Sequence, residues 1–237
     1  MGEPGPSGAP DLEIRPPRQR RSRAAWERVL DAGVAILEDD GYEAFTIAAV
    51  CARASVAPPA IYARTTSKDA LFLAVYEHGV ARLRDAQLVF AERDRWVGLP
   101  PLDLVRAAVA EMVGISLRHE RFLRAVVLVS AAHPEVRRRG ARYSQELGER
   151  FAAVVLAGAG GAVTHRDPGA AVRTCFGATF AASVLRVAYG PGFATGAPVD
   201  DATFVADLGD LAVRHLLGGE PPDGWCIDRA DDRPQEK

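Results

Sequence analysis

Lysine is almost missing from the 237 residues: Lys68 is the only one before the final Lys237, so nearly all positive charge rests on arginine. Cysteine is as scarce. Cys51, Cys175 and Cys226 are odd in number, far apart and without a CxxC, which argues against a disulfide framework or a zinc site and fits reduced cytosol. Neither sign of charge dominates. At a formal net charge of -2 the molecule as a whole is not a polycation, so any nucleic-acid surface has to be a local patch. No uncharged apolar run approaches the ~18 residues that span a bilayer. The opening "MGEPGPSGAPDLEIRPP" has neither a signal-peptide core nor the sixth-position Ser or Thr of a myristoylation signal. A cytoplasmic chain with no membrane partner is expected.

Catalytic patterns are missing too. His78, His119, His133, His165 and His215 form no HExxH or other ligand pair, so no metal is expected. No GxSxG and no paired nucleophile and base is visible. "AGAGGAV" follows a helical stretch rather than a strand and puts Val163 where GxGxxG needs its third glycine, so it reads as a loop and no cofactor is implied. An enzyme is not expected. No stretch alternates with period two and β-branched enrichment, which leaves no strand.

What is present is helical. Trp26, Val29, Leu30, Gly33, Val34 and Leu37 form one apolar stripe at i, i+3, i+4, i+7, i+8, i+11, with Ser22 as N-cap and Gly41 as stop. A short segment from Thr46 to Arg53 or Ala54, a turn at Ser55-Val56 and a second short segment ending near Tyr62 or Arg64 make a helix-turn-helix shape. Ser67 caps a periodic stretch carrying Leu71, Phe72, Val75, Gly79, Leu83, Ala86 and Phe90. Taken as one helix of about 29 residues, it would run ~44 Å. "WVGLPPLD" ends it, and segments near 102–118, 120–132, 135–157, 168–188 and 201–217 follow, separated by His133-Pro134, "GAGGAVTHRDPG" and "YGPGFATGAPVD". The fold class is all-α without internal repeats: a three-helix head joined by a long helix to a helical-bundle body. The expected division is a disordered arm at 1–19, a head at 20–66, a body at 67–217 and a disordered tail at 218–237.

From Arg23 to Leu73 the sequence resembles the DNA-binding head of TetR-type transcriptional regulators. The resemblance rests on the first stripe, on "GYEAFTIAAVCARASV" as Gly-Tyr-x-x-x-[Ser/Thr], and on "AIYARTTSKDAL" in place of Thr-Leu-Tyr-x-His-Phe-x-Ser-Lys-Glu-x-Leu. It implies a homodimeric regulator, a repressor released from a palindromic double-stranded operator by a small apolar or amphipathic ligand. Thr46, Tyr62 and Lys68 match positions that clamp phosphates, while Arg53 and Arg64 are long enough to reach guanine edges or further phosphates. Four arginines, Arg18, Arg20, Arg21 and Arg23, belong to a basic stretch of net +5 over residues 15 to 28 that fits a neighbouring minor groove. Ala57, Pro58, Pro59 and Ala60 open the recognition helix. Proline suits a first helical turn because it lacks an N–H and pre-sets φ; Pro59 is expected as the first helical residue, with Pro58 at the cap or just outside. Such a start offers phosphates few donors but offers thymine methyls an apolar surface.

The chain departs from the family pattern at Ser55 (turn glycine), Ala57 (capping serine), Arg64 (histidine) and Thr65 (aromatic), which points to altered DNA contacts. In the body, Met112, Phe122, Val126, Tyr143, Phe151, Phe176 and Phe180 are the expected pocket residues. Gly177, Ala181, Val184, Leu185, Phe204, Leu208 and Leu211 are expected on the dimer face of the last two helices, where the resemblance places a four-helix interface. Two other readings stay open: an all-α binding protein or enzyme without DNA binding, and a helical interaction protein that has lost it.

Overall fold

The computed structural model describes residues 20–194 and 196–218. The expected arm at 1–19 with Arg18, and the tail beyond Gly218 with Cys226, lie outside the described residues. Ten α-helices and no strand occur among the described residues.

The head is α1 (Arg20–Ala44), α2 (Ile47–Ala54) and α3 (Pro58–Tyr62). The apolar stripe of α1 buries Trp26, Val29, Val34 and Leu37, and Gly41, at φ 78 and ψ -174, breaks the helical path where a stop was expected. Ser22 is not the cap. It lies within the first turn of α1, and its carbonyl and hydroxyl both accept from Arg64. Thr46 caps α2, its side chain accepting from the Ala49 amide at 3.0 Å. The turn residue Ser55 is left-handed, φ 53 and ψ 50, where a side chain strains the backbone by roughly 1–2 kcal/mol. Ser55→Gly is therefore expected to stabilise the protein by about 0.5–1 kcal/mol, raising Tm by about 1–4 °C. A calorimetric scan showing no rise would mean that the turn is relaxed.

Both prolines lie inside α3. Ala57 is its N-cap at ψ 147 and has no side-chain cap bond, so Pro58, rather than Pro59, is the first helical residue. Since Pro58 and Pro59 both lack an N–H, two of the usually orphaned donors of a first turn do not exist, and the missing cap serine leaves fewer groups unsatisfied.

Ser67 accepts from the Ala70 amide at 3.0 Å and starts α4 (Lys68–Ala86). The expected single helix of about 29 residues is cut short. A 3₁₀ turn over Gln87–Ala91 and the short α5 (Arg93–Trp96) replace its second half. Phe90 and Trp96, six residues apart, would point about 240° apart on a straight helix. The break lets them stack at 5.7 Å with ring planes 4° apart, and the Trp96 indole donates to the Val89 carbonyl at 3.1 Å.

The body comprises α6 (Pro101–Arg118), α7 (Glu120–Ser130), α8 (Pro134–Ala159), α9 (Pro168–Tyr189) and α10 (Asp201–Leu217). Its five helices start and stop within three residues of the expected segments, because Pro101, Pro134 and Pro168 each sit in a first turn and His133, Asp167 and Asp200 cap. One buried cluster runs from Phe45 and Ile61 in the head through Phe72 of α4 to Phe122, Leu147 and Phe151 in the body. Gly79 of α4 has no room for a Cβ, which would overlap the Phe122 ring of α7. Asp31 of α1 accepts from His78 at 2.8 Å and from Arg82 at 2.7 Å on α4. Head, α4 and α7 are thereby one connected unit. By length and composition α9 alone among the described residues is apolar enough to cross a membrane, and 33% of its apolar window is buried.

Candidate nucleic-acid interface and body cavity

Around α2 and α3 the exposed residues are small and mostly uncharged: Thr46, Ala57, Pro58, Pro59, Ala60 and Tyr62, the last 58% exposed. Their sequence explains the exposure. Only Ile61 of α3 points into the core, and a five-residue helix with one inward anchor presents the rest to solvent. Lys68, at the start of α4, lies with Nζ 4.7 Å from the centroid of the Tyr42 ring, which itself meets Phe72 edge-on at 4.8 Å. Tyr42 is a positioning residue that side-chain chemistry at the motif did not single out; its place directly after Gly41 was the available signal.

The two arginines expected to reach DNA are engaged elsewhere. Arg64 is 8% exposed, donates to the Ser22 carbonyl at 2.7 Å and to its hydroxyl, and lies 5.1 Å above the Trp26 ring. Burial pulls its pKa below the ordinary arginine value, and its Nη1 has no hydrogen-bond partner among the described residues. In this conformation it ties α3 to α1 and does not reach a base edge. Arg53 pairs with Asp39 and lies 3.9 Å from Asp40. Asp39 also accepts from Arg121 of α7 at 2.6 Å. The hydrogen bond from Arg53, followed by the Arg53 charge and the bond and charge of Arg121, holds the Asp39 carboxyl below the usual range despite some desolvation. One carboxylate thus bridges head and body. Arg20, Arg21 and Arg23 belong to α1 rather than to an arm, and Arg23 is exposed.

In the body, α4, α6, α7, α8 and α9 enclose a cavity of about 210 Å³. Val126, Tyr143 and Phe180 line it as expected, together with Tyr76 and Ser116. The other expected pocket residues do not. Met112 and Phe151 are 0% exposed and Phe122 1%, all three filled into the core, while Phe176 stacks on Phe180 at 5.4 Å behind the lining. Val184, expected on the dimer face, lines the cavity instead. Burial pushes the Tyr76 phenol up to about 12 and raises that of Tyr143, so both remain neutral donors at neutral pH.

On the outer side of α9 and α10, Gly177, Ala181, Leu185 and Leu211 are exposed, the two leucines by 41% and 57%. Phe204 is half-buried beneath the Arg186 guanidinium, 4.5 Å from its ring, and Leu208 is 8% exposed and belongs to the core rather than the face. Among the described residues no cluster of His, Cys, Asp or Glu is arranged to hold a metal.

Residues 29–75 match the family model for bacterial regulatory proteins, tetR family. Similar solved structures include a TetR transcription regulator from Haloarcula marismortui (TM-score 0.62, 16% identity, 81% of this chain and 96% of that one). A bacterial regulatory protein in the tetR family from Rhodococcus RHA1 gives TM-score 0.60 at 18% identity, over 81% of this chain and 96% of that one. A TetR-like transcriptional regulator from Rhodococcus sp. RHA1 gives 0.54 at 22% identity, over 87% of this chain and all of that one. No curated protein matches the sequence. At these identities the structures share a fold, and the head carries the sequence signal. Residues 29–75 are therefore similar to the tetR-family head, and the helical chain shares the fold of solved TetR-type regulators.

Proposed function

We propose that the chain is a homodimeric, cytoplasmic transcriptional repressor whose head, residues 20–66, binds a palindromic operator and whose body, residues 67–217, releases it on taking up a small molecule. The observation that carries this reading is the exposed α2–α3 surface, with Thr46 at the α2 N-terminus, Tyr62 free on α3 and Lys68 held against Tyr42 at the start of α4. A hydroxyl and an ammonium at helix N-termini, with a phenol exposed at the end of α3, suit the clamping of phosphates. Between them Pro58, Pro59 and Ala60 offer rings and a methyl group but few donors, which suits thymine methyls.

Dimerisation through α9 and α10 is supported by the exposed small and apolar residues Gly177, Ala181, Leu185 and Leu211. Two recognition helices set about 34–36 Å apart would meet successive major grooves. For a ligand to release DNA it has to bind a released pose better than the DNA-bound one. α4 is the element to carry that difference, since Tyr76, Val80 and Leu83 line the cavity and Lys68 starts the same helix.

Lys68→Ala tests the clamp. It is expected to weaken binding alike on every sequence and to flatten the slope of log K against log salt by about one unit. A loss confined to one operator sequence would contradict a phosphate role. The engagement of both Arg53 and Arg64 favours one competing reading, a head that has lost DNA affinity; a dimer with no salt-sensitive DNA binding would establish it.

A further inference from the structure

The body cavity has one charged wall. Among the described residues, Arg137, in the first turn of α8, is the only ionisable side chain of permanent charge that lines it, and no carboxylate does. Its neighbours are all matched: Arg138 with Glu135 at 2.5 Å, Arg139 with Glu135 and Glu77 at 2.5 Å, and Arg142 with Glu77 and Glu146 at 4.0 and 3.9 Å. Arg137 has no ion pair or side-chain hydrogen bond among the described residues. A second polar group faces the same space. Ser116, 6% exposed, lines the cavity, and its hydroxyl has no hydrogen-bond partner among the described residues. Buried polar groups are normally satisfied, so the Ser116 hydroxyl marks a place where another molecule's polar atom belongs, while the exposed Arg137 guanidinium stands unpaired at the cavity's rim.

Resting on the reading of this cavity as the ligand site, we infer that its ligand is an organic monocarboxylate: an apolar body in the cavity, a carboxylate on Arg137 and an oxygen within reach of Ser116. The guanidinium fork pairs with a carboxylate through two parallel hydrogen bonds. A cation would meet an uncompensated like charge. Size follows from volume: an apolar cavity of about 150 Å³ holds benzene, so 210 Å³ holds a ligand of about eight to ten non-hydrogen atoms.

Calorimetric titration of the full-length chain with octanoate, octan-1-ol and octylamine tests this. Octanoate is expected to bind about tenfold more tightly than octanol, and octylamine more weakly than either. Arg137→Gln, a change at an exposed position, is expected to bring octanoate down to the level of octanol and to leave octanol unchanged. Val184→Trp, which fills the cavity, is expected to abolish both. Octanol binding as well as octanoate, or octanoate indifferent to Arg137→Gln, overturns the carboxylate assignment while sensitivity to Val184→Trp keeps the cavity as a site. Binding of no probe, or binding indifferent to Val184→Trp, overturns both.

Discussion

Ala60→Glu is expected to lower operator affinity by at least about 100-fold while leaving the fold intact. Ala60 is exposed and is the third residue of α3, counted from Pro58. A glutamate at that position favours the helix, because its charge sits beside the positive end of the dipole, so stability is expected to hold or rise by a few tenths of a kcal/mol. Against DNA the same carboxylate meets phosphates and the electronegative floor of the major groove. Like charges brought together across an interface cost several kcal/mol. Circular dichroism and anisotropy on one preparation separate the two effects. A variant that binds normally would show that α3 does not enter the groove, and an unfolded one would show that the exposure of Ala60 is misjudged.

The second large effect concerns the junction between α4 and α7. Gly79→Val is expected to destabilise the protein by about 3 kcal/mol and to lower Tm by about 6–12 °C. A Cβ at Gly79 would overlap the Phe122 ring, and Phe122 is 1% exposed. Close-packed interiors do not absorb three extra carbon atoms without moving backbone. The partner can be named, which makes the claim testable by a cycle. Gly79→Ala combined with Phe122→Leu is expected to be about 1 kcal/mol more stable than the sum of the single changes. Strict additivity would mean that the two helices are not in contact at this point. Because α7 also carries Arg121, which holds Asp39 of α1, this contact lies between the cavity and the head.

Periodicity and punctuation made most of the fold legible. The α1 stripe, the Gly41 stop and the prolines of α6, α8 and α9 are local signals, and local physics decides them. Three features were not readable because partners far along the chain decide them. The end of α4 depends on Phe90 finding Trp96. Arg64 is long, charged and next to the motif, all marks of a DNA contact, but Ser22 and Trp26 supply a pair of acceptors and a ring face 42 and 38 residues away. The cavity lining needs five helices brought together, so aromatic character alone selected Phe122 and Phe151, which fill the core, overlooked Arg137 and Ser116, and left Val184 assigned to the dimer face. The prolines show an intermediate case. Their fit to a first turn followed from chemistry, but which of them came first was set by Ala57 as cap.

The central claim is that the α2–α3 head of a two-chain assembly binds DNA specifically. Anisotropy titration of the full-length protein against DNA from upstream of its own gene, at two salt concentrations, tests it most directly. The account predicts two chains per palindromic site, an affinity that falls steeply between about 50 and 200 mM salt, and loss of binding in Ala60→Glu. Binding no tighter than to unrelated DNA, or tight binding that survives Ala60→Glu, would contradict it.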